Sequence, residues 1–355
     1  MTPRSAIVGN REPDERYRWG NPGSEIKEMG ILCEIRGLSV SYAQPTGGRV
    51  RVVDQLSLEI RAGEVVGILG ESGCGKSTLA GAVLRMLPRG GECDSGTVVF
   101  HGRDVLTMTE AELGKVRGAQ IALVPQDPAH TLNPVMSVGT QVAEVLQAHL
   151  QMSGTERWAR VLELLGEVGF ERPTEICVAY PHQLSGGQRQ RIAIAQAISC
   201  QPGLVIADEP TSKLDAPLQA EIVSLLARIR SKHGLAVLLI GHDPAIFAGF
   251  ADRIAVMYAG RIVEVGTVTQ IFRQPLHPYT QALVSIAKSV VSPSAASVRA
   301  RFTAIEGESP DPANLPAGCR FTPRCADRMD VCSRRYPQAF LPEPARPVNC
   351  FKYGE

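Results

Sequence analysis

The stretch "EVVGILGESGCGKST", residues 64–78, decides the fold. Its first half is a short, continuously apolar run, the pattern of a strand buried on both faces. Its second half matches G-x-x-x-x-G-K-[ST] in full. Gly70, Gly73 and Gly75 lack Cβ atoms, so successive backbone N–H groups can converge on phosphate oxygens. "KSTLAGAVLRML" (76–87) continues at helical spacing, giving strand, phosphate loop and helix, with the helix N-terminus adding its dipole to the anion site. Gly70, Glu71, Ser72, Gly73, Cys74, Gly75, Lys76, Ser77 and Thr78 form the expected nucleotide cradle. Within it Lys76 reaches the β and γ phosphates and the Ser77 hydroxyl ligates Mg²⁺. Cys74 is expected to pack into the loop and to do no chemistry.

"LVIADEP" (204–210) supplies the other half of the site. A buried strand delivers Asp208, whose carboxylate can hold the Mg²⁺ shell, and Glu209 follows where it can polarise an attacking water. Further strands read as "GLVIAD" (203–208) and "AVLLIGHD" (236–243), with a helix over "APLQAEIVSLLARIR" (216–230) between them. Buried strands alternating with helices imply a parallel sheet. Ahead of the phosphate loop, "ILCEIRGLSVSY" (31–42) and "RVVDQLSLEI" (51–60) alternate apolar and polar residues as half-buried antiparallel strands do. From about 127 to 185 the apolar positions recur at three and four, which predicts a helical subdomain. The expected fold class is therefore α/β: a parallel-sheet core with an antiparallel β subdomain and a helical subdomain. The organisation reads as a disordered tail over 1–29, one nucleotide-binding domain over 30–287, and a linker with a cysteine-rich region over 288–355.

Composition narrows the setting. The formal net charge of +1 gives no reason to expect a nucleic-acid partner. The text before residue 30 has no apolar h-region, so no signal peptide is expected, and apolar runs such as "LAVLLI" (235–240) are far too short to span a bilayer. A cytoplasmic protein follows. Nine cysteines, an odd number, argue against a disulfide scaffold in a reducing compartment. Five are scattered; Cys319, Cys325, Cys332 and Cys350 crowd together near the end.

These features describe a P-loop ATPase, and "LSGGQRQR" (184–191) says which kind. Ser185, Gly186 and Gly187 make a second N–H-rich turn at the start of a helix, and one chain cannot fold both such ends around one nucleotide. The combination resembles the ATP-binding cassette family, in which two domains sandwich two nucleotides between one partner's phosphate loop and the other's signature turn, here Leu184, Ser185, Gly186, Gly187 and Gln188. The resemblance implies that Tyr42 stacks on adenine and that Gln126 in "LVPQDP" is the Q-loop residue touching Mg²⁺ and water. It also implies that Asp215 is the D-loop acid and His242 in "LLIGHD" the switch histidine. Catalysis would then rest on Glu209, His242, Gln126 and Lys76, with Mg²⁺ on Ser77, Gln126 and Asp208. Two positions depart from the family pattern: Lys213 in "SKLD" stands where a small residue is usual, and Gly241 where Ser or Thr is usual.

The tail resembles one branch. "QPLHPYTQALVSI" (274–286) and "GCRFTPRCADRMDVC" (318–332), followed by Cys350, are similar to the C-terminal region of ATPases serving peptide, opine and nickel importers, above all the dipeptide and oligopeptide group. Five, six and seventeen residues intervene between the four cysteines, looser than the knuckle spacing of structural zinc. The branch implies a [4Fe–4S] cluster there, with Zn²⁺ or four unliganded thiols as alternatives. It implies as partners a second, non-identical ATPase, two transmembrane permease subunits and, indirectly, a substrate-binding protein, at the cytoplasmic face of the membrane, with no nucleic acid. The rival class is a cassette ATPase acting on ribosomes or DNA. The position of the cysteines, the single cassette and the short insertion disfavour it. A regulatory cassette that binds ATP without driving transport is the third reading.

Overall fold

The computed structural model describes residues 30–45, 47–291, 305 and 307–354. The expected tail over 1–29 and the part of the linker over 292–304 lie outside the described residues. The chain forms strands β1 Ile31–Ala43, β2 Arg49–Arg61, β3 Val65–Leu69, β4 Gly91–Phe100, β5 Arg103–Asp104, β6 Ile121–Val124, β7 Leu204–Asp208, β8 Ala236–Gly241, β9 Arg253–Tyr258, β10 Arg261–Thr267, β11 Phe340–Glu343 and β12 Arg346–Val348.

Two sheets result. The alternating segments pair antiparallel as expected, β1 with β2 through Ile35 opposite Leu58 and Leu38 opposite Leu56, in a four-stranded sheet of order β2-β1-β4-β5. The second sheet has the order β11-β12-β10-β9-β3-β8-β7-β6. Within it β3 lies between β8 and β9, parallel to both, and β7 lies parallel between β6 and β8. All five residues of β3 are buried. Val65 and Leu69 enter one core with Val205, Val237 and Leu239, while Val66 and Ile68 enter the other with Ile206, Leu238 and Ile240. Apolar layers thus cover both faces, which is why the strand sequences run without polar interruption.

Between Gln126 and β7 the chain is helical. Helices span Val138–His149, Gly154–Glu167 and Gly186–Ile198, the first two capped by Ser137 and Ser153, whose hydroxyls accept from Thr140 N–H and Glu156 N–H. No helix among the described residues is long and apolar enough to cross a membrane.

The C-terminal region contributes more than a loop. β12 pairs with β10, extending the central sheet, with Glu264 opposite Val348. Behind that pairing lies a fully buried ion pair: Arg346 Nη2 stands 3.2 Å from Glu264 Oε1, both side chains at 0% exposure. Glu264 also accepts the N–H groups of Leu276 and His277, each at 2.9 Å. Arg320 forms a second tie across the boundary, pairing with Asp54, which Arg261 also contacts at 2.7 Å.

Candidate nucleotide site

Because β3, β6, β7 and β8 are mutually parallel, their carboxyl ends open on one edge of the sheet. Each strand hands a motif to that edge: the phosphate loop after β3, Gln126 after β6, Asp208 and Glu209 at the end of β7, and His242 after β8. Ligand sites in α/β sheets sit at this end.

The phosphate loop is forced to be glycine-rich. Gly73 and Gly75 have φ of 81° and 105°, the left-handed region, and a Cβ on Gly70 would collide with the Met257 carbonyl oxygen. Gly75 caps the helix Lys76–Val83 without any side-chain hydrogen bond, so among the described residues no side chain caps the first N–H groups. Cys74 is buried, its thiol pushed up to about 11 by burial, and it packs inside the loop as expected. Lys76 is 4% exposed, and its ammonium donates to the carbonyls of Gly70 and Glu71 at 2.9 Å each. Ser72 is exposed at the loop tip, and the Tyr42 hydroxyl lies 3.5 Å from Thr78 Oγ1 at the end of β1.

The acids at the end of β7 differ in their surroundings. Burial pushes the Asp208 carboxyl up and the Glu209 charge adds to this, opposed by the Ser77 hydroxyl. Asp208 Oδ1 is buried and without a hydrogen-bond partner. An orphaned carboxylate oxygen beside the Ser77 hydroxyl fits a hard, oxygen-liganded cation such as Mg²⁺. Glu209 holds φ of 44°, an uncommon conformation for a non-glycine residue, fixed by its N–H donating to Ile240 O at 2.9 Å. Its carboxylate accepts from Gln126 Nε2 at 3.0 Å, meets His242 Nδ1 at 3.1 Å and stands 3.8 Å from Lys76 Nζ. Three residues singled out in three other motifs meet at this one carboxylate. What the arrangement can do chemically is hold a polyphosphate and its cation while presenting a carboxylate base to water.

The signature turn is built equally well but elsewhere. Ser185 Oγ accepts Gln188 N–H at 3.2 Å and Gln188 Oε1 accepts Ser185 N–H at 2.9 Å, a reciprocal cap at an exposed helix start. Leu184 is buried behind it, and Gly186 and Gly187 face Leu214 and Leu218. Among the described residues no hydrogen bond or ion pair joins this turn to Lys76, Asp208, Glu209 or His242. Asp215 uses its carboxylate locally, accepting Leu218 N–H at 3.0 Å to cap the helix Ala216–His233. Lys213, the departure in the D-loop, pairs with Asp127, the residue after Gln126.

The four late cysteines line one small cavity together with His277, Phe321 and Phe351. The cluster or zinc ion expected on Cys319, Cys325, Cys332 and Cys350 is not supported by their arrangement. Among the described residues no group of three or more Cys, His, Asp or Glu side chains is placed to hold a metal ion. Burial pushes the Cys319, Cys325 and Cys350 thiols up, the last to about 11, in the metal-free chain.

Two contacts lay beyond the reach of sequence reasoning. The Tyr279 hydroxyl accepts the Glu71 N–H at 2.9 Å, and Arg324, between two of the cysteines, grips the Glu71 carboxylate. Both partners lie more than 200 residues from the loop, inside the two quoted tail stretches, and nothing in those stretches points to the loop.

Known proteins resemble this chain along most of its length. The family model "ABC transporter" matches residues 53–212, and "Oligopeptide/dipeptide transporter, C-terminal region" matches 263–332. The dipeptide transport ATP-binding protein DppD of Bacillus subtilis is 41% identical over 91% of this chain and 95% of its own length. The oligopeptide transport ATP-binding protein OppD of Salmonella typhimurium is 41% identical over 91% of this chain and 94% of its own. Among solved structures, a dimeric ATP-binding cassette in a post-hydrolysis state bound to ADP and Pi matches with a TM-score of 0.60 and 28% identity. It covers 67% of this chain and 99% of that one.

Proposed function

The chain belongs to the ATP-binding cassette transporter family, in its oligopeptide and dipeptide branch, and on that premise we propose that it is the ATP-hydrolysing subunit of a peptide importer. The observation that carries the mechanism is the convergence of Lys76, Gln126 and His242 on Glu209, beside Ser77 and the orphaned Asp208 oxygen. Lys76 exchanges two loop carbonyls for phosphate oxygens when the nucleotide enters. Glu209 takes the proton of the attacking water, Gln126 orients that water, and His242 contacts the γ-phosphate. Mg²⁺, when bound, would be held by Ser77, Gln126 and Asp208 and would offset phosphate charge. Tyr42, beside Thr78, stacks on the adenine.

The exposed Ser185 turn, apart from its own phosphate loop, supports a nucleotide sandwich completed by a second cassette. We assign a non-identical ATPase as that partner. Two permease subunits, with a substrate-binding protein across the membrane, receive the work near Gln126 and the helical subdomain at the cytoplasmic face. Replacing Glu209 by Gln keeps nucleotide binding and lowers ATP turnover by at least about 10²-fold. Turnover at the wild-type rate in that variant overturns the assignment.

The cysteine cavity carries a narrower proposal. Its four thiols match the donor set of a [4Fe–4S] cluster, and their present spacing does not. Metal analysis of anaerobically purified chain decides: about four irons support the cluster, one zinc replaces it, and four titratable thiols without metal remove both.

A further inference from the structure

Glu71 is an anomaly in its setting. It is an acid inside a loop whose purpose is to bind phosphate, and its ammonium neighbour does not neutralise it by direct contact: Lys76 Nζ reaches the Glu71 carbonyl, not its carboxylate. The carboxylate is met from the C-terminal region. Arg324 Nη1 donates to Oε2 at 2.8 Å and Nη2 to Oε1 at 3.0 Å, a two-pronged pairing, and Ser309 Oγ donates to Oε2 at 2.7 Å. Although burial opposes it, the hydrogen bonds of Arg324 and Ser309 hold the Glu71 carboxyl below the usual glutamate range.

Arg324 is itself fixed. Its side chain is 6% exposed, Nη1 lies 3.4 Å from the Tyr258 hydroxyl, and Nη2 donates to Ile305 O at 3.3 Å. It ends the short helical turn Thr322–Arg324, one residue before Cys325. Tyr258, Tyr279 and Phe321 pack their rings together beneath it, with centroids 4.5, 5.2 and 5.5 Å apart. Ser309, Pro310 and Pro312 line a pocket with Gly73 and Cys74 on the outer side of the loop.

We infer that Arg324 is a positioning residue for nucleotide binding: from the cysteine-rich region it holds the Glu71 carboxylate away from the phosphate path and cancels its charge, leaving the loop's N–H groups and Lys76 to face the polyphosphate. The inference rests on the ATP-binding reading of the same loop. Without the guanidinium, an unpaired carboxylate stands inside an anion site and repels the incoming charge.

The test is calorimetric titration of the full chain with MgADP, with thermal unfolding followed alongside. Arg324→Met raises the Kd about tenfold, and Glu71→Gln alone supplies the reference value for a loop without that charge. The double variant Glu71→Gln/Arg324→Met recovers to within about threefold of that reference, because the charge that Arg324 opposed is gone. A residue that merely braces the fold gives no such recovery. Equal weakening in the single and double Arg324 variants overturns the inference, and so does wild-type affinity in folded Arg324→Met. Arg324→Gln repeats the comparison if the Met variant does not fold, and failure of both to fold makes Arg324 structural only and overturns it too. A wild-type chain that binds no MgADP or MgATP fails the ATPase reading itself, a separate outcome.

Discussion

The edge of the parallel sheet and the C-terminal region are attached to the same core by different physics. At the edge, Gln126, Asp208, Glu209 and His242 are placed by backbone ladders: three neighbouring strands in parallel register deliver them, and the side chains play little part in holding the scaffold. In the C-terminal region the strands are short, and β12 contributes a single paired position to β10. There the attachment is made by arginines: Arg346 on Glu264, Arg320 on Asp54 and Arg324 on Glu71. A site built on ladders tolerates the loss of a charge. A site built on buried ion pairs does not, because removing one partner strands the other in a dry interior.

Arg346→Met should show the largest effect. It strips the guanidinium from Glu264, leaving that carboxylate fully buried with two backbone N–H donors. The expected loss is about 3–5 kcal/mol in denaturant unfolding. Glu209→Gln, at the ladder-built edge, should change the same measurement by no more than about 1 kcal/mol while abolishing turnover. Replacing Glu264 by Gln in the Arg346→Met background should recover part of the loss, since no charge is then left alone. Equal stability of Arg346→Met and wild type would mean that packing, not charge, holds the region.

The same division explains what the sequence made legible. The edge could be read because its requirements are local: apolar strand runs, glycines where φ is positive, and an acid pair directly after a buried strand, at Gly73, Gly75, Asp208 and Glu209. Their convergence followed from parallel topology. The C-terminal region resembled a known branch, yet its architecture was hidden. "FLPE" and "RPV" are short and carry prolines, which count against strands, and only their position beside β10 makes them so. Arg324 reads as one basic residue among several, because its partner is 253 positions away. Lys213 reads only as a departure from the family pattern, and its pairing with Asp127 depends on two loops that meet only in the fold. The cysteines were legible as a set, and the structure does gather them around one cavity, but their number and spacing say nothing of how far apart the sulfurs stand.

A smaller, pH-dependent effect sharpens the contrast. His277 sits at the junction of the two regions, 1% exposed, its Nδ1 accepting the Tyr279 N–H at 3.1 Å. Burial lowers its pKa to about 3, so it stays neutral in the folded protein well into the acid range. In the unfolded chain it takes up a proton near its ordinary value of about 6.5. Between those two values the unfolded state binds one more proton than the folded one, so this residue's contribution to stability is lost as pH falls and regained as it rises. The slope is at most about 1.4 kcal/mol per pH unit. His277→Gln keeps an acceptor for Tyr279 and removes the titration, so its unfolding free energy should fall less steeply between pH 6 and 4, by up to one proton's worth of slope. The variant Leu123→Ala in β6, which removes no titrating group, should retain the full wild-type slope, because no ladder at that edge depends on His277. If both variants keep the wild-type slope, the junction admits water, and Glu264 and His277 share a less sealed interior than their zero and near-zero exposure implies.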